Sequence, residues 1–579
     1  MKIMESQIVT EQNKKINTEF INGAEAVVKI LIEEQVEVAF GYPGGAIMPI
    51  YDALYDEQDR IQHVLARHEQ GAIHAAQGFA RVTSKPGVCL ATSGPGATNL
   101  ITGLADAQID STPLVCITGQ VPSSLLGSDA FQETDVIGIS MPVTKWNYQI
   151  TDANEIPEVL AKAFYIASSG RPGPVLIDIT KDAQFQKFDY SYTCFKKIRS
   201  YVPKPEIDPS SIEKAASAIN NAKRPLILFG QGVILANAEK EFKKLIEKTG
   251  IPAAWTILGL SALETDHPLN VGMLGMHGNY GPNLLTNECD VLIAIGMRFD
   301  DRVTGNLSKY AKQAKVIHLE IDPAEINKNV KADIPVLGDA KETITHLLKL
   351  VKPNSHESWL QRFIDCTKIE REKVIDKELN PDSETLSMGE VINIINKHTQ
   401  GNAIVVSDVG QHQMVTCRYS KFSKSKSNIT SGGLGTMGFG LPAALGAKLG
   451  APDRTVIAVI GDGGFQMTIQ ELATIYQTKA KVKILLLNNE FLGMVRQWQQ
   501  LFFEKRYSST EMINPDFQTI VKGYYIPTKK VTERNKLEKA IEEFLNFDGA
   551  YFLEVMVGKE NNVFPMVPSG AGVSEIRLE

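Results

Sequence analysis

At 579 residues, with 43% hydrophobic and 22% charged side chains, the chain is long enough for three or four domains with sizeable cores. A formal net charge of −7 argues against a general nucleic-acid binder. No apolar run reaches membrane-spanning length, and the polar residues 1–19 read as neither a secretory signal nor an anchor.

Strand-like and helix-like runs alternate almost throughout, the pattern of an α/β protein. A first domain is expected over residues 16–186. It opens on a helix over 23–34, a strand over 38–40, a helix over 68–82, a strand over 88–92, a helix over 97–109 and a strand over 114–118. Glu69 stands in the first turn of the second helix, on the stripe of Ala72, Ile73 and Ala76 that packs inward. Such a carboxylate is either a helix-terminus charge or an acid in an apolar pocket, with a raised pKa, that shares a proton with a ring nitrogen. His68-Glu69 is not a zinc-protease motif, because His74 lies six residues on. The loop Ser93-Gly94-Pro95-Gly96-Ala97-Thr98-Asn99 lacks the third glycine and the acidic partner of a dinucleotide fingerprint.

The polar stretch 187–209, with three prolines, reads as a linker. A second domain is expected over 210–351, starting with the strand-like run Pro225-Leu226-Ile227-Leu228-Phe229. Its strand over 291–296 leads into Arg298-Phe299-Asp300-Asp301-Arg302, which by itself reads equally well as a surface cluster of paired charges. A second polar stretch, around 353–385, precedes a third domain at 388–558, and residues 559–579 form a C-terminal tail.

In the third domain a buried strand over 456–460 runs into Gly461-Asp462-Gly463-Gly464. A helix over about 466–477 follows, then a buried strand over 483–487 that ends in Asn488-Asn489. One βαβ unit makes the strands parallel and opens both carboxyl ends on one edge. Asp462 and Asn489 then arrive side by side, next to glycines whose backbone can approach a phosphate. Hard oxygen donors beside a diphosphate cradle suit Mg²⁺. The six cysteines, at 89, 116, 194, 289, 366 and 417, form no CxxC pair and are expected to be reduced, buried thiols of a cytoplasmic protein.

Gly461-Asp462-Gly463 followed two dozen residues later by Asn488-Asn489 resembles the signature of thiamine-diphosphate-dependent enzymes. The resemblance covers nearly the whole chain and is close to the catalytic subunits of the acetohydroxyacid (acetolactate) synthase family. It is carried by segments 41–47, 119–122, 129–135, 171–175, 273–278, 298–305, 435–438 and 493–498. One departure is Thr180, where the family often has proline; the following Lys181 is retained.

The resemblance implies three doubly wound parallel-sheet domains of the thiamine-diphosphate enzyme type: pyrimidine-binding (16–186), central FAD-binding (210–351) and diphosphate/Mg²⁺-binding (388–558). The implied metal ligands are Asp462, Asn489 and the carbonyl of Phe491. Glu69 would partner the pyrimidine ring of thiamine diphosphate, and Gly45, Gln132 and Lys181 would attend the reaction centre. Met437, which by itself reads as core filler, would prop the cofactor into a bent shape. Gln411, His412, Gly435, Gly463, Gly464 and Met494 complete that set. FAD would contact Arg171, His277, Arg298, Arg302, Asp322 and Asp339. Pro122, Phe131, Met276 and Trp498 would contact substrate or inhibitor, and Pro122, Ala130 and Trp498 match a herbicide-susceptible pattern.

The implied reaction is decarboxylating carboligation of pyruvate with pyruvate or 2-ketobutyrate, giving 2-acetolactate or 2-aceto-2-hydroxybutyrate on the path to branched-chain amino acids. FAD would be structural, because the reaction has no net redox change. The implied assembly is a homodimer or dimer of dimers with a site shared between subunits and a separate regulatory small subunit, without nucleic acid or membrane. A pyruvate oxidase-like flavin enzyme is the alternative reading. A non-catalytic paralogue is disfavoured by the presence of Glu69, Asp462 and Asn489 together.

Overall fold

The computed structural model describes residues 19–579; the reading of the N-terminal polar stretch as neither signal nor anchor lies, but for Glu19, outside the described residues. After strand β1 (Glu19–Asn22), the chain builds a six-stranded parallel sheet. Its strands are β2 (Val38–Gly41), β3 (Gln62–Leu65), β4 (Gly87–Ala91), β5 (Leu114–Gln120), β6 (Trp146–Ile150) and β7 (Pro174–Thr180). Strand β8 (Lys187–Tyr190) then returns to pair antiparallel with β1. A second six-stranded sheet holds β9 (Pro225–Phe229), β10 (Ala253–Trp255), β11 (Asn270–Met273), β12 (Val291–Ile295), β13 (Lys315–Glu320) and β14 (Ile334–Leu337). The third holds β15 (Ile404–Ser407), β16 (Asn428–Thr430), β17 (Val456–Gly461), β18 (Val482–Asn488), β19 (Thr528–Val531) and β20 (Tyr551–Met556).

The spatial orders are β3-β2-β4-β5-β7-β6, β11-β10-β9-β12-β13-β14 and β16-β15-β17-β18-β20-β19. Counted within each domain, the first and third sheets share the order 2-1-3-4-6-5, while the middle one has 3-2-1-4-5-6. All pairings in these sheets are parallel, so helices must cover both faces. That is why β4 and β18 are buried along their whole length and show no alternation. In the middle sheet, strand order reverses between β9 and β12, which creates a crevice at their carboxyl ends.

The first and third domains join through two helices, Glu69–Thr83 and Gly440–Gly450. A Cβ added at Gly78 would run into the Ala443 carbonyl, and one at Gly446 into the Ala75 carbonyl. Only glycine permits backbones this close. Ala72, Ile73 and Ala76 share one apolar core with Ala443, Ala444 and Ala447. Every residue from Gly71 to Ala80 is buried, well beyond the single stripe expected from periodicity.

Several expectations need correction. The stretch 187–209 is not linker from its start, because β8 belongs to the β1 ribbon. The polar stretch around 353–385, for which no element was expected, is largely helical. Glu357–Glu370 buries Trp359, Phe363 and Cys366, an i, i+4, i+7 stripe that the surrounding charges mask. The helix expected over 466–477 breaks into Asp462–Met467 and Leu472–Thr478, and between them the Thr468 hydroxyl donates to the Gly438 carbonyl at 3.0 Å. Cys194 is exposed, whereas the other five cysteines are buried and free. Among the described residues no helix is long and apolar enough to cross a membrane.

Candidate active site

Strand β17 delivers Asp462 and β18 delivers Asn489 to the same carboxyl edge. Asp462 is 1% exposed and accepts a hydrogen bond from Asn514 Nδ2 at 2.7 Å. Among the described residues no cationic side chain bonds it, and burial pushes its carboxyl up to about 6. The Asn489 side chain donates to Gln411 Oε1 at 3.4 Å, and its Oδ1 accepts the Phe491 amide at 3.3 Å. Among the described residues no three His, Cys, Asp or Glu side chains cluster as a metal site. The donors here are one carboxylate, one amide oxygen and backbone carbonyls. A buried carboxylate without a cation, beside neutral oxygens, fits Mg²⁺ and does not fit zinc.

Next to this pair lies a glycine-lined cradle around His412. His412 stands in the first turn of the helix Gln411–Tyr419 and is buried, with Nε2 left without a hydrogen-bond partner among the described residues. Burial pulls its pKa down to about 4, against the opposing bond to the Asp408 carbonyl. A diphosphate would restore the charge that burial removes. Gly410 and Gly461 make room for the ring, since a Cβ at either would lie 2.8–2.9 Å from it. At Gly463 a Cβ would press on Leu492 at 2.7 Å and on Met437 Cε at 3.3 Å. These residues fit thiamine diphosphate.

Met437 sits between Thr436 and Gly438, the latter at φ +86°. Asp408, at the carboxyl end of β15, takes the Gly438 amide at 3.0 and 3.1 Å and the Val409 amide at 2.7 Å. Burial pushes its carboxyl up to about 7. Sequence reasoning missed Asp408, Asn514 and the bonding role of Asn99. Only Asp408 left a signal, an acid directly after a strand that ends at the ligand edge.

Glu69 occupies the matching edge of the first sheet. His68 caps its helix by accepting the Gln70 amide at 3.1 Å. Glu69 is 8% exposed and accepts from Asn99 Nδ2 at 2.9 Å. Gly45 is exposed with open space above its Cα, and Gln132 holds a left-handed backbone at φ +60°. Pro122 and Lys181 are half-buried where β5 and β7 end, and Phe131 is 88% exposed. No hydrogen bond links Glu69 with Asp462, Asn489 or Met437 within the chain. Glu69 and the Asp462–Asn489 pair thus stand at the edges of two different sheets.

A cavity of about 680 Å³ opens at the β9/β12 crevice. Arg171, His277, Arg298, Arg302 and Asp339 line it, together with Met276, Gly435, Met437, Met494 and Trp498. Asp322 stands behind the wall, accepting from Arg171 at 3.1 Å. Gly296 (φ +54°) and Gly232 touch across the crevice, too tightly for any Cβ. His277 is buried with Nδ1 unpartnered, and burial pulls its pKa down to about 4. The Arg302 guanidinium lies 6.0 Å from the Trp498 ring and donates to Met276 Sδ at 3.4 Å. The 3-2-1-4-5-6 strand order, the glycine crossing and the open imidazole nitrogen fit a dinucleotide such as FAD. Pro122, Ala130 and Phe131 do not line this cavity.

Three domain families of thiamine pyrophosphate enzymes match the chain: the N-terminal TPP binding domain over 21–139, the central domain over 212–347 and the C-terminal TPP binding domain over 408–555. The chain is 45% identical over 565 residues to a probable acetolactate synthase large subunit of Methanocaldococcus jannaschii, covering 96% of this chain and 95% of that one. It is 44% identical over 557 residues to the acetolactate synthase isozyme 2 large subunit of Escherichia coli K12, covering 96% and 99%. It is also 44% identical over 576 residues to the acetolactate synthase large subunit of Corynebacterium glutamicum, covering 98% and 92%.

Proposed function

The chain belongs to the acetolactate synthase large-subunit family of thiamine pyrophosphate enzymes, and from that premise we propose that it joins two 2-keto acids with loss of CO₂. Pyruvate is the donor, and pyruvate or 2-ketobutyrate the acceptor. The products, 2-acetolactate and 2-aceto-2-hydroxybutyrate, feed branched-chain amino acid biosynthesis. The observation that carries this reading is the buried, cation-free Asp462 beside Asn489 and the open His412 nitrogen, all at one sheet edge.

Thiamine diphosphate supplies a nucleophilic carbon and an electron sink for decarboxylation when bound. Asp462, Asn489 and the Phe491 carbonyl would hold Mg²⁺, and Gln411, His412, Gly463 and Gly464 would receive the diphosphate. Met437, Gly435 and Met494 shape the pocket above. Glu69, bonded by Asn99, would present its carboxylate to the pyrimidine ring as a proton partner. Gly45, Gln132 and Lys181 approach the reaction centre from the same edge as Glu69. Arg302 and Trp498 offer a cation and a flat apolar face to the second keto acid.

Because the half-sites lie on separate sheet edges, the complete centre is formed between two copies of the chain. Exposed apolar side chains beside each half-site, Phe131 near one and Ile513 and Phe503 near the other, support such pairing. The relatives' designation as large subunits supports a separate small subunit as partner. FAD, in the central cavity, is a structural cofactor, and the enzyme works in the cytoplasm.

The test is product analysis with pyruvate, Mg²⁺ and thiamine diphosphate, with FAD present or removed, beside Glu69→Gln. The expected result is acetolactate that depends on FAD and falls about 10²-fold or more in the variant. Peroxide or acetyl phosphate as the main product would overturn the reading.

A further inference from the structure

The loop that carries Met437 belongs to the third domain, but the first domain holds it. Arg81 Nη1 donates to the Thr430 carbonyl at 2.6 Å. Asp106 accepts the Ser431 hydroxyl, and the Thr436 hydroxyl at 3.0 Å. Asp110 accepts the Gly432 and Gly433 amides at 2.9 and 2.7 Å and pairs with Arg81 at 2.9 Å. The Thr436 amide closes the loop on Ser431 Oγ at 2.8 Å. Both carboxylates are buried, one turn apart on the helix Ile101–Ile109 and its C-cap.

Burying two acids with a single guanidinium is costly unless every bond they make is needed. Adhesion does not need them, since the glycine crossing of Glu69–Thr83 on Gly440–Gly450 already joins the two domains through apolar contact. What the acids do contribute is direction. The two chain neighbours of Met437 are each tied to a buried carboxylate: Thr436 to Asp106 of the first domain, Gly438 to Asp408 of the third. Ser431, Gly432, Gly433 and Leu434 meanwhile line the central cavity, so the same loop forms part of both compartments.

We propose that Asp106 is a positioning residue which, with Asp110 and Arg81, fixes the 431–436 loop and so sets the height of Met437 at the cofactor site. The first domain thereby tunes the reaction centre in the third domain of its own chain, in addition to offering Glu69. The catalytic part of this inference rests on Met437 acting as the cofactor prop; the holding of the loop does not.

The experiment uses the full-length enzyme with Asp106→Asn, Thr436→Val, Thr436→Ser and Met437→Ala. Hydrogen exchange of the 431–438 amides in cofactor-free protein reads the loop. The near-ultraviolet dichroism of bound thiamine diphosphate reads its tautomer, and kcat against KM reads the consequence. Asp106→Asn and Thr436→Val are expected to speed loop exchange about tenfold or more, weaken the tautomer signal and lower kcat about tenfold, with little change in the KM for pyruvate. Thr436→Ser restores the hydroxyl and recovers the signal. Exchange that stays slow in the 431–438 loop, or that rises equally in the helix Glu69–Thr83, overturns the proposal. If Met437→Ala keeps the tautomer signal, it is the Met437 reading that fails. If Met437→Ala loses the signal while Asp106→Asn keeps it, the positioning role of Asp106 fails instead.

Discussion

Asn514 donates its side-chain amide to Asp462 at 2.7 Å and also reaches Asn488 Oδ1 at 3.2 Å, bridging the ends of the two strands that carry the proposed Mg²⁺ ligands. A ligand oriented by such a partner binds in a defined direction, and loss of an outer-shell partner of this kind costs about 10–100-fold in metal affinity. Asn514→Ala is therefore expected to weaken Mg²⁺ activation by about tenfold or more, measured as the Mg²⁺ concentration for half-maximal thiamine diphosphate binding.

Separation of Glu69 from Asp462 makes a prediction about assembly. Glu69→Gln and Asp462→Ala should each be nearly inactive alone. Mixed and allowed to exchange subunits, they should recover about one quarter of wild-type activity, because half the dimers are hybrids with one intact site. No recovery despite demonstrated exchange would show that one chain completes its own centre.

His74 is fully buried, bonded to Gln77 at 3.2 Å and set edge-on to Phe439 at 5.3 Å. Burial, with Arg81 nearby, pulls its pKa down to about 3. The unfolded chain takes up a proton near pH 6.5 that the folded chain refuses until about pH 3. Its contribution to stability is thus complete above pH 6.5 and declines as the pH falls, by about 2 kcal/mol between pH 6.5 and 5. Replacing it by a non-titrating residue, as in His74→Gln, should flatten the fall in melting temperature over that interval. An unchanged slope would mean that His74 does not remain neutral.

The Gly446 position offers a packing test. Gly446→Ala drives a methyl group into the Ala75 carbonyl across two backbones that cannot retreat. Overpacking of this kind costs about 1–3 kcal/mol. A lower melting temperature with unaltered secondary structure is expected, and a neutral substitution would contradict so close a crossing.

How far these features were legible in the chain differs with their range. Asp462, Asn489 and the parallel β17/β18 pair are local to one βαβ unit, and a turn, a strand and an oxygen donor mark each end. Glu69 was visible as an acid on a buried helical stripe, although its pocket was not, because Asn99 lies thirty residues on. The helix Glu357–Glu370 was not visible in the polar 353–385 stretch because Trp359, Phe363 and Cys366 are sparse among charged neighbours and pack on the distant middle domain. The Asp106 and Asp110 network left no trace, since nothing near either aspartate announces a partner more than three hundred positions away. The shared strand order of the first and third sheets appears only once strand pairing is known.

The central claim is carboligation, and its stoichiometry tests it most directly. Purified protein with pyruvate, Mg²⁺, thiamine diphosphate and FAD should consume two pyruvates for each CO₂ released and each acetolactate formed. One pyruvate consumed per CO₂, with acetaldehyde, peroxide or acetyl phosphate in place of acetolactate, would contradict the account.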